Sequence, residues 1–303
     1  MLSDRYIKQA ELLLRSLPHI AREEFFALKG GTAINFFWRD FPRMSVDVDL
    51  TYLKIQDREL SLVDINNRLI NIESGIQKTI PGLRITQKKS DGLINGLLIN
   101  STEAVVKVEV NTIIRGTVFP VIKRKLTEKA EKRFELTTSV NTLSFEDLYG
   151  GKICAALDRQ HPRDLFDVKL LFENEGVTEG IVKAFVFYLA SHNRPMVELL
   201  NPGLQDIEQI YDNEFKGMTA DEVKFEDLIS VRSDLIARIK KSLTEEQKTF
   251  LLSLKNRKPE WELSGIEGIE NYPSIMYKLI NLQRMNDKKH NLAYYKLKDY
   301  LLG

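Results

Sequence analysis

The stretch KGGTAINFFWRDFPRMSVDVDLTYL, residues 29–53, decides how the chain is read. Gly30 and Gly31 stand at its start, Asp47 and Asp49 near its end, and a short aromatic-rich segment lies between them. Residues 46–52 alternate strictly: Val46, Val48, Leu50 and Tyr52 fall on one face, Asp47, Asp49 and Thr51 on the other. That is the period of a half-buried β-strand, and it projects Asp47 and Asp49 from one side about 6.5–7 Å apart. Two anions so placed repel, and a bridging divalent cation relieves the repulsion. Carboxylate oxygens suit Mg²⁺, or Mn²⁺ in its place, with water and substrate phosphate as the remaining ligands.

Residues 105–110 (VVKVEV) repeat the alternation, with Val106, Val108 and Val110 opposite Lys107 and Glu109. Glu109 is therefore a candidate third carboxylate for a site holding two ions, which would stabilise both oxygens of a phosphoryl-type displacement. Gly30 and Gly31 let the backbone approach a phosphate. A short helix from about Thr32 to Arg39 would aim its free N–H groups and positive dipole end at that phosphate. A nucleoside triphosphate (NTP) between the helix start and a metal on Asp47 and Asp49 is the economical reading. Each part also has a plain alternative: a loop for the glycine pair, a solvated edge for the aspartates, a surface pair with Lys107 for Glu109.

Around this stretch, Ile7, Ala10, Leu13, Leu14 and Leu17 predict an amphipathic helix over residues 4–17, with Ser3 as N-cap and Pro18 closing it. A helix is expected at 58–78 and strands at 83–87 and 97–100, joined through Ser90-Asp91-Gly92. From Ser144 the strand signal stops. Helices are predicted near 144–157, 163–172, 178–191, 205–213, 220–240, 244–255 and 273–302. The fold class is α+β: a mixed-sheet domain over residues 1–143, then a helical domain over 144–303. At 303 residues two domains are likelier than one, and 43% apolar against 29% charged residues predicts an ordinary packed core. A net charge of +1 supplies no global attraction to nucleic acid, so basic surface must be local. The lone Cys154 excludes an internal disulfide framework. No run of about 18 apolar residues occurs and the N-terminal stretch is no secretory leader, so no membrane partner and a cytoplasmic location are expected.

Glycine pair, helix, D-x-D strand and a later acidic strand together resemble the nucleotidyltransferase fold of the polymerase β superfamily. More narrowly, GGTAINFF and RMSVDVDL resemble the AbiEii/AbiGii nucleotidyltransferase toxins of abortive-infection and toxin–antitoxin loci, through Gly30, Gly31, Thr32, Arg43, Ser45, Asp47 and Asp49. A second stretch, KICAALDRQHPRDLFD at residues 152–167, is similar to the K…DR…RD..D motif of that family through Lys152, Asp158, Arg159, Arg163, Asp164 and Asp167. Glu109 stands where the family carries aspartate.

The resemblance implies a polymerase β-like nucleotidyltransferase domain followed by a helical one, and a Mg²⁺-dependent enzyme that moves a nucleoside monophosphate from an NTP to an RNA acceptor. In the family that acceptor is the tRNA 3′ end, and the outcome is growth arrest opposed by a cognate antitoxin. It implies metal ligation by Asp47 and Asp49 with Glu109, a catalytic-site role for Asp164, and nucleotide contacts from Lys152, Arg159 and Arg163 beside the glycine-turn residues. Lys152 and Arg159, seven apart, would share a helix face about 10 Å apart along it. The rival for this second motif is a helix hairpin held by its own ion pairs.

Two basic stretches offer local charge for RNA: Lys123, Arg124, Lys125, Lys129, Lys132 and Arg133, and a C-terminal group of Arg284, Lys288, Lys289, Lys296 and Lys298 among Tyr294, Tyr295 and Tyr300. Solvated helix faces are their plain reading. A phosphate on Ser45, two residues before Asp47, would repel a triphosphate. The alternatives in other classes are transfer to a protein or small molecule, a GTP-binding module without turnover, and an interaction protein.

Overall fold

The computed structural model describes residues 2–303. They form two compact units. One runs to Ser144 and takes in Phe215–Val223; the other comprises Phe145–Glu214 and Lys224–Gly303.

In the first unit the N-terminal repeat forms α1, Asp4–Ile20. The helix continues past Pro18, because a proline in the last turn removes one bond where little helix remains to break. Ser3 occupies the N-cap position without a side-chain cap, and its N–H donates instead to the Gly217 carbonyl at 2.9 Å. Next come β1 (Phe26–Lys29) and α2 (Gly30–Ala33), which widens into a π-helical turn over Ile34–Trp38. β2 is Asp47–Tyr52, and α3, Arg58–Thr79, is capped by the Asp57 carboxylate. The predicted hairpin is longer than its apolar signal: β3 (Arg84–Ser90) and β4 (Leu93–Asn100) flank Asp91 and Gly92, both at positive φ. β5 (Val105–Asn111), β6 (Ile122–Lys125), α4 (Glu128–Phe134) and β7 (Ser139–Thr142) follow.

Among the described residues, seven strands form one mixed sheet in the order β3-β4-β5-β2-β1-β7-β6. β2 runs parallel to β5 and antiparallel to β1. Leu28, Val48, Leu50, Tyr52, Val106 and Val108 are buried on one face, where α1 and α3 pack. The opposite face carries the acidic positions.

The second unit is helical: α5 (Phe145–Arg159), α6 (Pro162–Glu173), α7 (Glu179–Ser191), α8 (Met196–Leu200), α9 (Glu208–Glu214), α10 (Phe225–Ser242), α11 (Glu245–Lys255), α12 (Pro273–Gln283) and α13 (Asp287–Leu302). The helix predicted over 220–240 begins only at Phe225, because residues 215–223 belong to the first unit. There Met218 accepts from the Met44 N–H at 2.7 Å and Thr219 bridges Arg43. The helix predicted over 273–302 is two helices; the Asn286 side chain accepts from the Lys288 N–H and starts α13 afresh. Among the described residues no helix is long and apolar enough to cross a membrane.

Leu50 is fully buried at the centre of β2. Leu50→Ala is expected to cost about 2–5 kcal/mol through lost transfer energy and a residual cavity. Denaturant unfolding should show it as a lowered midpoint with an unchanged slope.

Candidate active site

Strand pairing assembles the acidic face. β2 and β5 in parallel register set Asp47 beside Lys107 and Asp49 beside Glu109, and β1 sets Lys29 on the other side of Asp49. Registered neighbours share a face, so a row Lys29–Asp49–Glu109 crosses the sheet with Asp47 and Lys107 two residues along. Glu109 is bonded at both oxygens, by Lys88 at 2.6 Å and Lys107 at 2.6 Å. Partial burial works to raise its pKa, but hydrogen bonds and charge from the two lysines prevail and hold the carboxyl below its ordinary value. Lys107 is pushed up, chiefly by its hydrogen bond to Glu109 and also by the charges of Asp47 and Asp49.

The glycine turn packs directly on this strand. Gly30 adopts φ +69°, and a Cβ there would come within 2.8 Å of Asp49 Oδ2. At Gly31 a Cβ would meet Arg43 Nη2 at 2.6 Å and Ser45 Oγ at 3.1 Å. Arg43 is buried and donates from Nη1 to the Met44 carbonyl at 2.8 Å. Thr32 Oγ1 hydrogen-bonds the Asp47 carbonyl at 2.6 Å and Ser45 Oγ at 2.9 Å. Thr32, Arg43 and Ser45 therefore form a buried bracket that pins the turn to the start of β2. A phosphate on Ser45 would first have to open that bracket.

Asp47 and Asp49 are hard oxygen donors, partly exposed on one face. Among the described residues no three His, Cys, Asp or Glu side chains gather into a metal-holding group. Two carboxylates still fit Mg²⁺, which takes one or two from protein and completes its shell with water and phosphate. Glu109, expected as a third ligand, is paired with Lys88 and Lys107. An open cleft of about 290 Å³ adjoins the row, lined by Lys29, Asp49, Asn95, Glu109, Asn111 and Ile113 among others.

The second motif lies wholly in the helical unit. Lys152 Nζ sits 2.8 Å from Asp164 and 2.9 Å from Asp167, and its side chain is 4% exposed. Arg159 reaches Asp164 at 2.6 Å while remaining 60% exposed. Burial works to raise the Asp164 pKa, but Lys152 and Arg159 prevail and drive it far below the ordinary carboxylate value. Asp158 pairs with Arg194 at 2.5 Å. His161 caps α6 by accepting from the Arg163 N–H, and the Arg163 guanidinium lies 3.8 Å from Glu214. Ion pairs thus link most charged residues of this motif, and of its cations Arg159 is the most exposed.

Of the two basic stretches, Arg124 is structural, stacking on Trp38 and donating to the Phe37 carbonyl, and Tyr300 donates to the Leu200 carbonyl. Lys123, Lys125, Lys288, Lys289, Tyr295 and Lys296 are exposed.

The sequence model of the family described as nucleotidyl transferase AbiEii toxin, type IV toxin–antitoxin system, matches residues 11–252. The chain belongs to that family. This AbiEii protein is a nucleotidyltransferase toxin of a type IV toxin–antitoxin system, which entails an NTP substrate and an antitoxin partner. Its fold is similar to that of MenT4, a nucleotidyltransferase toxin from Mycobacterium tuberculosis H37Rv, with a TM-score of 0.57, 14% identity and 92% of each chain covered. No curated protein sequence matches it.

Lys29 heads the glycine pair in the deciding stretch yet carries no motif signal of its own. Lys88 and Asn95 reach the site through strand pairing that a single sequence does not display.

Asp164 allows a signed pH prediction. Its folded pKa lies below the unfolded value, so its stabilisation is present above the unfolded value of about 4 and is lost as pH falls through and below it. Asp164→Asn should destabilise the AbiEii protein by about 3–5 kcal/mol at pH 7 by breaking a buried pair, with the gap to wild type narrowing below about pH 4. Denaturant titrations at pH 7 and pH 3 check both parts.

Proposed function

We propose that this toxin moves a nucleoside monophosphate from an NTP to the 3′ end of an RNA, tRNA being the acceptor, in a reaction that needs Mg²⁺ or Mn²⁺, and that its antitoxin opposes the resulting block of translation. The observation that carries the reading is the row of Asp49 and Glu109 with Asp47 on one sheet face, packed against a glycine turn at Gly30 and Gly31. The tRNA acceptor rests on the family resemblance.

Asp47 and Asp49 would hold the metal. When bound, it would neutralise phosphate charge and polarise the α-phosphorus. The Gly30–Thr32 turn receives the triphosphate at its backbone N–H groups, and the absence of side chains at Gly30 and Gly31 lets the turn lie against Asp49 and Arg43. Thr32, Arg43 and Ser45 serve the nucleotide by fixing that turn. The acceptor hydroxyl oxygen bonds to the α-phosphorus as the bond to the β-phosphate bridging oxygen breaks, and pyrophosphate leaves. The hydroxyl proton passes to a carboxylate of the Asp49–Glu109 pair. Lys88 and Lys107 hold Glu109 in place and make it the weaker base of the two, because they stabilise its charged form. In the helical unit, Lys152 and Asp164 act as positioning residues that fix the Arg159 side chain.

Total RNA incubated with each α-³²P-labelled NTP tests the proposal. Label should appear in the tRNA fraction together with pyrophosphate. Asp47→Ala and Asp49→Ala should each lose at least about 10²-fold, more than the loss typical of a residue that merely supports a metal ligand. Undiminished labelling by Asp49→Ala, or label in protein and none in RNA, would contradict it.

A further inference from the structure

The pairing of β3 with β4 contains an irregularity. Lys88 faces Gly96 and Lys89 faces Ile94, leaving Asn95 as the extra residue of a β-bulge. Simple alternation would send Asn95 to the apolar face with Leu97 and Ile99, both buried. The bulge gives that position to Ile94, also buried, and turns Asn95 into the cleft beside Glu109, whose neighbour on β4 is Gly96. Bulges of this kind re-aim side chains and concentrate beside active sites. Asn95 Oδ1 is buried and, among the described residues, has no hydrogen-bond partner. A buried acceptor left unmatched is costly, so a donor supplied by a ligand is the natural complement.

Position decides which ligand. The glycine turn leaves the end of β1, while Asn95 lies on β4, with the carboxylates of β2 and β5 between them. An in-line displacement needs leaving group and nucleophile on opposite sides of the phosphorus. With the triphosphate at the turn, the Asn95 end of the cleft belongs to the acceptor. Ile113, 48% exposed on the cleft wall, offers an apolar contact to a sugar.

We propose that Asn95 reads the terminal sugar of the acceptor. A rotation of the side chain that opens the buried Oδ1 to the cleft lets it accept a hydrogen bond from the 2′-hydroxyl next to the attacking 3′-hydroxyl, so the cleft selects ribose over 2′-deoxyribose ends. The 2′-hydroxyl is the group by which proteins separate RNA from DNA. This inference rests on the RNA-acceptor reading above.

The test uses two synthetic RNA hairpins, identical except that the last nucleotide is ribo in one and 2′-deoxy in the other, with a labelled NTP and Mg²⁺. Wild type should favour the ribo end by about 3- to 10-fold in kcat/KM, the worth of one neutral hydrogen bond. Asn95→Ala should bring the ratio close to one with the KM for NTP unchanged, and Asn95→Ser should lie between. Both acceptors are compared on the same protein, so a partial loss of folding cancels in the ratio. A wild-type enzyme that labels both ends equally, or an equal ribo preference in wild type and Asn95→Ala, overturns the role of Asn95 and leaves the acceptor reading standing. A wild-type enzyme that labels neither hairpin nor total tRNA removes the acceptor reading and this inference with it.

Discussion

The first unit is organised around the parallel pairing of β2 with β5, which sets anionic side chains next to one another on a single sheet face. Asp47 and Asp49, about 6.5–7 Å apart, repel by roughly 0.6 kcal/mol at the dielectric of water and about 2.5 kcal/mol at an effective value of 20. That is tolerable within a net stability of about 5–15 kcal/mol, but only with compensation at hand. Lys107 beside Asp47 and Lys29 beside Asp49 are placed by the same register to supply it. The glycine turn follows from this arrangement, since any side chain at Gly30 would strike Asp49 and any at Gly31 would strike the buried Arg43. Register, charge and turn are one constraint seen from three sides.

The helical unit meets a similar problem by burial. Lys152 is held between two carboxylates in a nearly closed environment, where losing one partner strands a charge. Such a cluster is a poor source of net stability and a good source of geometry. It leaves Arg159 exposed at one end with its guanidinium direction set by Asp164. Residues that resemble a family's catalytic motif are here bonded mainly to one another, with Arg159 at the exposed end.

Much of this was legible in the sequence, for identifiable reasons. β2 and β5 announce themselves by strict alternation, and Asp47, Asp49 and Glu109 stand where the period puts them. The register that makes Asp49 the neighbour of Glu109 is a long-range choice with no local signature. β1, β6 and β7 are only four residues each, too short for a period to show. Residues 215–223 read as part of a helical region, yet their backbone pairs with Arg43 and Met44, a contact set by tertiary packing. Thr32, Arg43 and Ser45 resemble ligands by type and spacing; their burial behind the turn makes them its support. Asn95 sits in an apolar run, and only the bulge opposite Lys88 and Lys89 brings it to the cleft.

In the proposed reading, β2 and the glycine turn together form the metal and triphosphate site. Anomalous diffraction from crystals grown with Mn²⁺ and a non-hydrolysable NTP tests it most directly. A manganese peak is expected against Asp47 and Asp49, with triphosphate oxygens at the Gly30–Thr32 backbone. Manganese bound elsewhere, or a triphosphate seated away from the glycine turn, would contradict it.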